Sequence, residues 1–134
     1  MDGSRGRILV VDDEKAIRKV LSTILSVMGF EVDVASNGKE GLHLFLEKPF
    51  DLVMTDLQMP EIDGWDLARQ IKDKSWDTPV VLVTGEEKAG VMERLKGSYI
   101  DHAIFKPFLL EDIQETVQRA LLYKDDVETR RWVQ

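Results

Sequence analysis

The sequence predicts an α/β fold in which a five-stranded parallel sheet is covered by helices on both faces. Five short apolar segments alternate with segments of helical periodicity, and the connections between them are short. A βα pattern repeated five times is typical of a doubly wound sheet, because each crossover helix packs back onto the strands. The 134 residues, 43% hydrophobic and 32% charged, suffice for one domain with its own core.

The strands are predicted from their apolar runs. Residues 7–11, 51–55 and 79–83 are mainly apolar and are bounded by turn residues, as buried parallel strands are, and residues 103–105 form a shorter run of the same kind. Residues 30–35 instead alternate between apolar and polar side chains. This alternation indicates a strand exposed on one face, and therefore a strand at an edge of the sheet.

The helices are predicted from apolar side chains that recur at intervals of three and four residues. The expected helices cover residues 14–28, 39–47, 65–72, 86–97 and 110–123. Gly29 is expected to end the first helix in a left-handed conformation, and the turn Ser36-Asn37-Gly38 to cap the second. The predicted inward-facing side chains are Ile17, Val20, Leu21, Ile24, Val27 and Met28, then Leu42, Phe45 and Leu46, then Trp65 or Leu67 with Ala68 and Ile71, then Ala89, Met92 and Leu95, and finally Ile113, Val117 and Ala120 or Leu121.

Composition excludes several classes of site. The chain has no cysteine, which excludes disulfides, thiolate metal sites and a cysteine nucleophile. Two histidines argue against a multi-histidine zinc site. The net charge of −7 argues against direct nucleic acid binding through a basic surface. No apolar run is long enough to span a membrane and the first residues lack a signal-peptide core, so we expect a soluble, cytoplasmic protein.

Four of the five predicted strands end in a residue capable of chemistry. These residues are Asp12 and Asp13, Asp56, Thr84, and Lys106, whereas the alternating strand ends in none. The carboxyl ends of parallel strands meet at one edge of a sheet, where open α/β folds bind their ligands. We therefore expect these side chains to converge on one crevice.

The expected cluster of carboxylates favours phosphoryl chemistry. Carboxylates held close together repel one another, and a hard divalent cation with Lys106 would relieve the repulsion. A cation, an ammonium group and the Thr84 hydroxyl around a central carboxylate can stabilise a transferring phosphoryl group. Asp56 would then be the nucleophile and form an aspartyl phosphate.

Each of these residues also has a purely structural interpretation. Asp12 and Asp13 can be acids favoured at a helix N-terminus, and Asp56 can be a capping residue. Thr84 has good strand propensity, and Lys106 can be a solvated lysine. For the structural interpretation to hold for all of them, chemically capable side chains would have to stand at four strand ends by coincidence.

Four motifs resemble the receiver domain of bacterial two-component response regulators, the CheY-like superfamily. They are Ile-Leu-Val-Val-Asp-Asp-Glu at 8–14, Asp-Leu-Gln-Met-Pro-Glu-Ile-Asp-Gly at 56–64, Val-Thr-Gly at 83–85 and Phe-Lys-Pro-Phe at 105–108. The resemblance implies a flavodoxin-like fold with strand order 2-1-3-4-5. It implies a receiver domain over residues 7–123, with a flexible lead at 1–6 and, at 124–134, a helical extension or the start of a linker.

The resemblance also implies a cofactor and roles for individual residues. Asp56 would be the phosphoacceptor and Mg²⁺ the cofactor, held by Asp13, Asp56 and the main-chain carbonyl of Gln58, with Asp12 acting through a bound water. Lys106 would contact the phosphoryl group, Thr84 would be the switch hydroxyl, and the peptide bond before the following proline would be cis.

Two features of the sequence bear on how such a switch works. The family usually places an aromatic residue three positions before the lysine, and here that position is Ala103. Gln58 and Glu86 occupy positions that vary in the family and tune the lifetime of the phosphate, which we expect them to do here. Glu86 can equally be an acid in the first turn of a helix.

The implied function is a phosphorylation-dependent signalling switch. A sensor histidine kinase or phosphotransfer protein would be the phosphoryl donor, and the chain would catalyse only its own loading and unloading, without turnover of an external substrate. A homodimer or an output domain would contact the last two helices and strand five. There are three alternatives. One is a Mg²⁺-dependent aspartyl-phosphate phosphatase, although that class needs a second aspartate where this chain has Gln58. The others are a nucleotide-binding module and a receiver-like scaffold that acts without phosphorylation.

Overall fold

A single parallel sheet organises the described part of the chain, which in this computed structural model comprises the backbone of residues 4–133 and the side chains of residues 4–122. The strands are β1 (Arg7–Val11), β2 (Glu31–Ala35), β3 (Leu52–Thr55), β4 (Val80–Thr84) and β5 (His102–Phe105). They pair in parallel in the order β2-β1-β3-β4-β5. This order confirms the flavodoxin-like α/β fold and places the alternating strand at an edge.

Five helices connect and follow the strands. They are α1 (Lys15–Val27), α2 (Gly38–Glu47), α3 (Gly64–Lys74), α4 (Lys88–Leu95) and α5 (Leu110–Val133). Gly29 follows α1 with a φ of 101°, the left-handed conformation that was predicted. Asn37 caps α2, since its side chain accepts a 2.8 Å hydrogen bond from the Glu40 N–H. The last helix continues through residues 124–133, where the sequence allowed a helical extension or a linker, and the division into domains stays a prediction.

The sheet separates two hydrophobic clusters. Leu9 and Val11 of β1 belong to the cluster under α2, α3 and α4, and Ile8 and Val10 belong to the cluster under α1 and α5. Successive side chains of a strand point to opposite faces, so a strand buried on both faces is apolar throughout. The core thereby holds the strands rigidly, and their carboxyl ends form the edge at which the predicted site residues lie.

Two of the predicted core positions of α1 are wrong. Val20 is 45% exposed and Val27 is 84% exposed, whereas Leu25, which was not predicted, is fully buried. Val20 and Val27 are seven residues apart and therefore lie on one line along the helix. That line runs outside the stripe that packs on the sheet.

The core predictions contain one error in α2 and two in α4. Leu46 is 57% exposed and Met92 is 45% exposed, while Phe45 and Val91 are the buried side chains of their helices. Ala89 is also exposed. A step of one residue rotates a side chain by about 100° around a helix, so periodicity alone leaves this ambiguity in short helices. In α3 and α5 the predicted core is confirmed at Leu67, Ala68, Ile71, Ile113, Val117 and Ala120.

Candidate functional site

The site begins with two aspartates that follow adjacent strands. β1 and β3 are neighbours in the sheet, and their pairing continues one residue beyond β3, where the Asp56 N–H donates to the Val11 carbonyl at 2.9 Å. On the other side of β1, the Asp12 N–H donates to the Ala35 carbonyl of β2 at 3.1 Å. One carboxylate oxygen from each of Asp12, Asp13 and Asp56 lies within 4.8 Å of the others. The sheet therefore brings together the acids that the sequence placed at its edge.

Lys106 supplies the positive charge of the site. It follows β5, and its N–H donates to the Thr84 carbonyl at 2.8 Å, which places its side chain beside the acids. Its Nζ lies 3.4 Å from Asp12 Oδ2 and 3.9 Å from both Asp56 Oδ1 and Glu14 Oε1. The bond between Lys106 and Pro107 is cis, as the resemblance implied. Lys106 is thus an ammonium group shared among carboxylates and not a solvated lysine.

The Asp56 carboxylate is fixed by the start of the loop that follows it. The Leu57 N–H donates to Asp56 Oδ1 at 2.8 Å, and the loop closes where the Gly64 N–H donates to the Leu57 carbonyl at 2.9 Å. A Cβ at Gly64 would lie 2.5 Å from the Asp56 main-chain oxygen. The loop can fold against Asp56 because residue 64 has no side chain.

Asp12 is held by contacts that the sequence did not predict. Its Oδ1 accepts the Glu14 N–H at 2.9 Å, and Arg18 donates from its guanidinium to the Asp12 main-chain oxygen at 2.8 Å. Asp12 is 1% exposed and lies ahead of α1, whose described first turn contains no acid. The interpretation of Asp12 as a helix-dipole acid is therefore wrong. No sequence signal identifies Arg18, since an arginine in a surface helix is ordinary.

Burial and charge crowding raise the pKa values of both buried acids. The pKa of Asp56 is raised from 3.8 to about 6: burial is the main cause, the charges of Asp12 and Asp13 add to it, and the Leu57 N–H and Lys106 oppose it. Burial also raises the pKa of Asp12, against the Glu14 N–H and Lys106. One lysine thus offsets only part of the cost of the clustered negative charges.

The donor set fits a hard divalent cation. Three carboxylates with oxygens this close together, two of them buried, form an oxygen-only ligand group whose repulsion a cation would relieve. No sulfur or imidazole ligand belongs to the group among the described residues. Magnesium suits such a site better than zinc or copper does.

Thr84, Gln58 and Glu86 form the side of the site that faces α4. Thr84 is buried, and its Oγ1 accepts the Glu86 N–H at 3.1 Å. Gln58 Nε2 donates to Glu86 Oε1 at 2.6 Å. The sequence singled out Gln58 and Glu86 separately, but their hydrogen bond, between residues 28 apart, was not predicted.

The lack of an aromatic residue at position 103 leaves a different contact beside α4. Ala103 is partly buried in β5 and packs against the core. Two residues later, Phe105 carries Lys88 of α4 over its ring, with Nζ 5.8 Å from the ring centroid. Farther along α4, the Arg94 guanidinium lies 4.6 Å from the Trp65 ring centroid. Two cation–π contacts therefore connect α4 to its neighbours.

Comparisons with known proteins agree with this geometry. The family described as "Response regulator receiver domain" matches residues 8–118. The Regulatory protein AtoC of Escherichia coli is 41% identical over 116 residues, which are 86% of this chain and 25% of AtoC. Another relative, a probable transcriptional regulator ycf27 of Porphyra purpurea, is covered to 53%. The chain thus spans a quarter to about half the length of these curated relatives.

Solved structures show the same fold. The response regulator TrrA of Thermotoga maritima, in complex with Mg²⁺-BeF, is 35% identical with a TM-score of 0.76, over 86% of this chain and 98% of that one. NtrX of Brucella abortus, in complex with ADP, is 27% identical with a TM-score of 0.91, over 96% of this chain and 30% of that one.

Within the described residues, no helix has the length and apolar character needed to cross a membrane.

Replacing Asp56 with asparagine should stabilise the cation-free protein. Because the pKa of Asp56 is raised in the folded protein, ionisation of Asp56 lowers the free energy of unfolding. The wild type therefore loses stability as pH rises from about 4 to about 6. At pH 8 in chelator, we expect Asp56→Asn to raise the free energy of unfolding by about 2 kcal/mol. Urea unfolding at several pH values measures this difference.

The advantage of the variant should vanish near pH 4, where the folded wild type is protonated at Asp56. A matched control is Asp66→Asn, which removes an exposed carboxylate and should change stability little at any pH. If the difference in the free energy of unfolding between wild type and Asp56→Asn stays the same from pH 4 to pH 8, the pKa of Asp56 is not raised in the folded protein.

Proposed function

This chain belongs to the response regulator receiver domain family, and we propose that it is the phosphorylation switch of a two-component phosphorelay, with Asp56 as the phosphoacceptor. The observation that carries the proposal is the buried Asp56 carboxylate beside Lys106 and the two other aspartates. A sensor histidine kinase or a phosphotransfer protein would supply the phosphoryl group from a phosphohistidine. We further propose that this takes place in the cytoplasm.

Phosphoryl transfer requires Asp56 as a carboxylate nucleophile. An Asp56 oxygen forms the new bond to phosphorus while the bond between phosphorus and the donor's imidazole nitrogen breaks, and its electron pair stays on the imidazole. The Leu57 N–H fixes one carboxylate oxygen, which leaves the other free to attack. Lys106 lies within reach of the same carboxylate and would neutralise the charge on the transferred oxygens.

Asp13, Asp56 and the Gln58 main-chain carbonyl would hold Mg²⁺, and Asp12 would act through a bound water. The ion supplies positive charge that offsets the carboxylates and the phosphoryl oxygens. The three carboxylates grouped within 4.8 Å support this assignment. Arg18 would act on Asp12 as a positioning residue, since it fixes the main chain of the β1–α1 turn.

Thr84 would read the phosphorylated state. Its oxygen already accepts the Glu86 N–H, so its hydroxyl proton remains available for donation to a phosphoryl oxygen. A shift of Thr84 toward the phosphoryl group would pull on Glu86 and on the loop that starts α4. In the described residues, α4 buries only the Val91 side chain, so small changes in its contacts can move it.

The output surface proposed for this switch comprises α4, β5 and α5. Large apolar side chains are exposed there: Met92, Tyr99, Leu109, Leu110 and Leu122. Such a patch supports contact with a second copy or with an output domain. The chain would turn over no external substrate, and it would catalyse only its own phosphorylation and dephosphorylation.

Incubation with acetyl phosphate and Mg²⁺ tests the proposed function. Intact-mass spectrometry should show one added phosphoryl group, absent without Mg²⁺ and absent in Asp56→Asn. Lys106→Gln should slow loading about a hundredfold, as the loss of one charge-stabilising donor does in other phosphoryl or acyl transfer sites. Asp66→Asn, the exposed control, should load like the wild type. An adduct that persists in Asp56→Asn would refute Asp56 as the acceptor.

The hydrogen bond between Gln58 and Glu86 should set the lifetime of the phosphorylated state. We propose that the Gln58 carboxamide orients the attacking water, so Gln58→Leu should slow dephosphorylation about fivefold, the effect of one lost hydrogen bond. The measurement is the decay of the phosphorylated mass after removal of acetyl phosphate. A double variant, Gln58→Leu with Glu86→Leu, that decays at the wild-type rate would exclude both residues from this role.

A further inference from the structure

A cavity beside the phosphorylation site is open between α3 and α4. It has a volume of about 370 Å³ and extends from the loop after β3 to the middle of α4. Its apolar lining consists of Leu57, Val91 and Trp65, of which Leu57 and Val91 are buried. We refer to this cavity as the α3–α4 groove.

Gly90 lines the groove and leaves open space beside it. It lies within α4, where glycine is the least favourable residue after proline. A Cβ at Gly90 would have no described atom within 4 Å. By contrast, a Cβ at Gly38, Gly41 or Gly64 would lie within 3 Å of a neighbouring atom. Those three glycines are explained by packing, whereas no described atom of the domain occupies the space beside Gly90.

The rim of the groove is acidic. Asp63, Glu86 and Glu87 line it, and Arg94 is the one cation among its described lining residues. The Arg94 guanidinium is engaged with the Trp65 ring at 4.6 Å. The side chain of Glu87, the first residue before α4, makes no capping hydrogen bond among the described residues. The groove therefore combines an apolar floor with an excess of negative charge.

We propose that the α3–α4 groove receives a lysine or arginine side chain from a partner protein. The aliphatic stem of such a side chain would pack on Leu57 and Val91 in the space that Gly90 leaves, and its charged end would meet Glu87 and Asp63. Arginine in a pocket with tryptophan is a common centre of binding energy in protein interfaces. The site is distinct from the exposed face of α4, β5 and α5.

Occupancy of the groove should respond to phosphorylation, a part of the inference that rests on the proposed function. Gln58 and Glu86 belong both to the groove and to the wall of the phosphorylation site. A phosphoryl group on Asp56 adds negative charge beside this wall. A cationic side chain in the groove should then bind more tightly.

Fragment binding to the unphosphorylated protein tests the site directly. The probes are N-acetylarginine methylamide and, as the uncharged match, N-acetylnorleucine methylamide, followed by the amide chemical shifts of the ¹⁵N-labelled protein. The arginine probe should shift the resonances of Leu57, Gly90, Val91 and the Trp65 indole, and should bind more tightly than the norleucine probe. Glu87→Gln should weaken the arginine probe about threefold, as loss of an exposed charge does.

Two substitutions at one position separate occlusion from misfolding. Gly90→Ala adds a methyl group in the open groove and should weaken the arginine probe, with a small gain in thermal stability. Gly90→Phe should fill the groove and abolish the shifts while circular dichroism stays unchanged. Binding of the arginine probe to folded Gly90→Phe would overturn the proposal. So would amide shifts spread evenly over the aspartates and glutamates of the surface. Because these assays use no phosphate, they stand even if acetyl phosphate fails to load Asp56.

Discussion

The closeness of the Asp12 and Asp56 carboxylates is the constraint on which the rest of the site depends. Parallel pairing of β1 with β3 forces the two residues to neighbouring strand ends, and both carboxylates are buried there. Burial raises both pKa values, neighbouring aspartate charges add to the rise, and Lys106 compensates for only part of the cost. Such a site favours the binding of a cation. The Asp56 carboxylate, whose ionisation is costly here, is also the proposed nucleophile.

Short contacts connect this site to the surface around α4. Thr84 and Glu86 join the end of β4 to the start of α4, and Gln58 joins the loop after Asp56 to the same point. The helix that receives these contacts is itself weakly packed, with one buried side chain in its described residues. With alanine at position 103, Phe105 and Lys88 provide the contact between β5 and α4. We propose that a charge added at Asp56 changes the surface around α4 through these contacts.

Much of this architecture could be predicted from the sequence, because each prediction depended on a local pattern. The alternation in residues 30–35 placed β2 at the edge, and the strand-end positions of Asp56 and Lys106 predicted their convergence. Tertiary contacts without a local pattern were not predictable. The hydrogen bond of Gln58 to Glu86 joins residues 28 apart, whose distance depends on the whole fold, and that of Arg18 to Asp12 spans one turn but has no pattern in the sequence. The same limit explains why periodicity favoured Met92, where packing buries Val91.

The most direct test of the strained carboxylate cluster is a pH titration of the Asp56 side-chain carboxyl carbon by NMR, first in chelator and then with Mg²⁺. The account predicts a pKa of about 6 in chelator, well above the ordinary aspartate value, and a lower value once Mg²⁺ is added. A titration near the ordinary aspartate value in chelator, unaffected by Mg²⁺, would contradict the claim that charge crowding at the sheet edge governs this site.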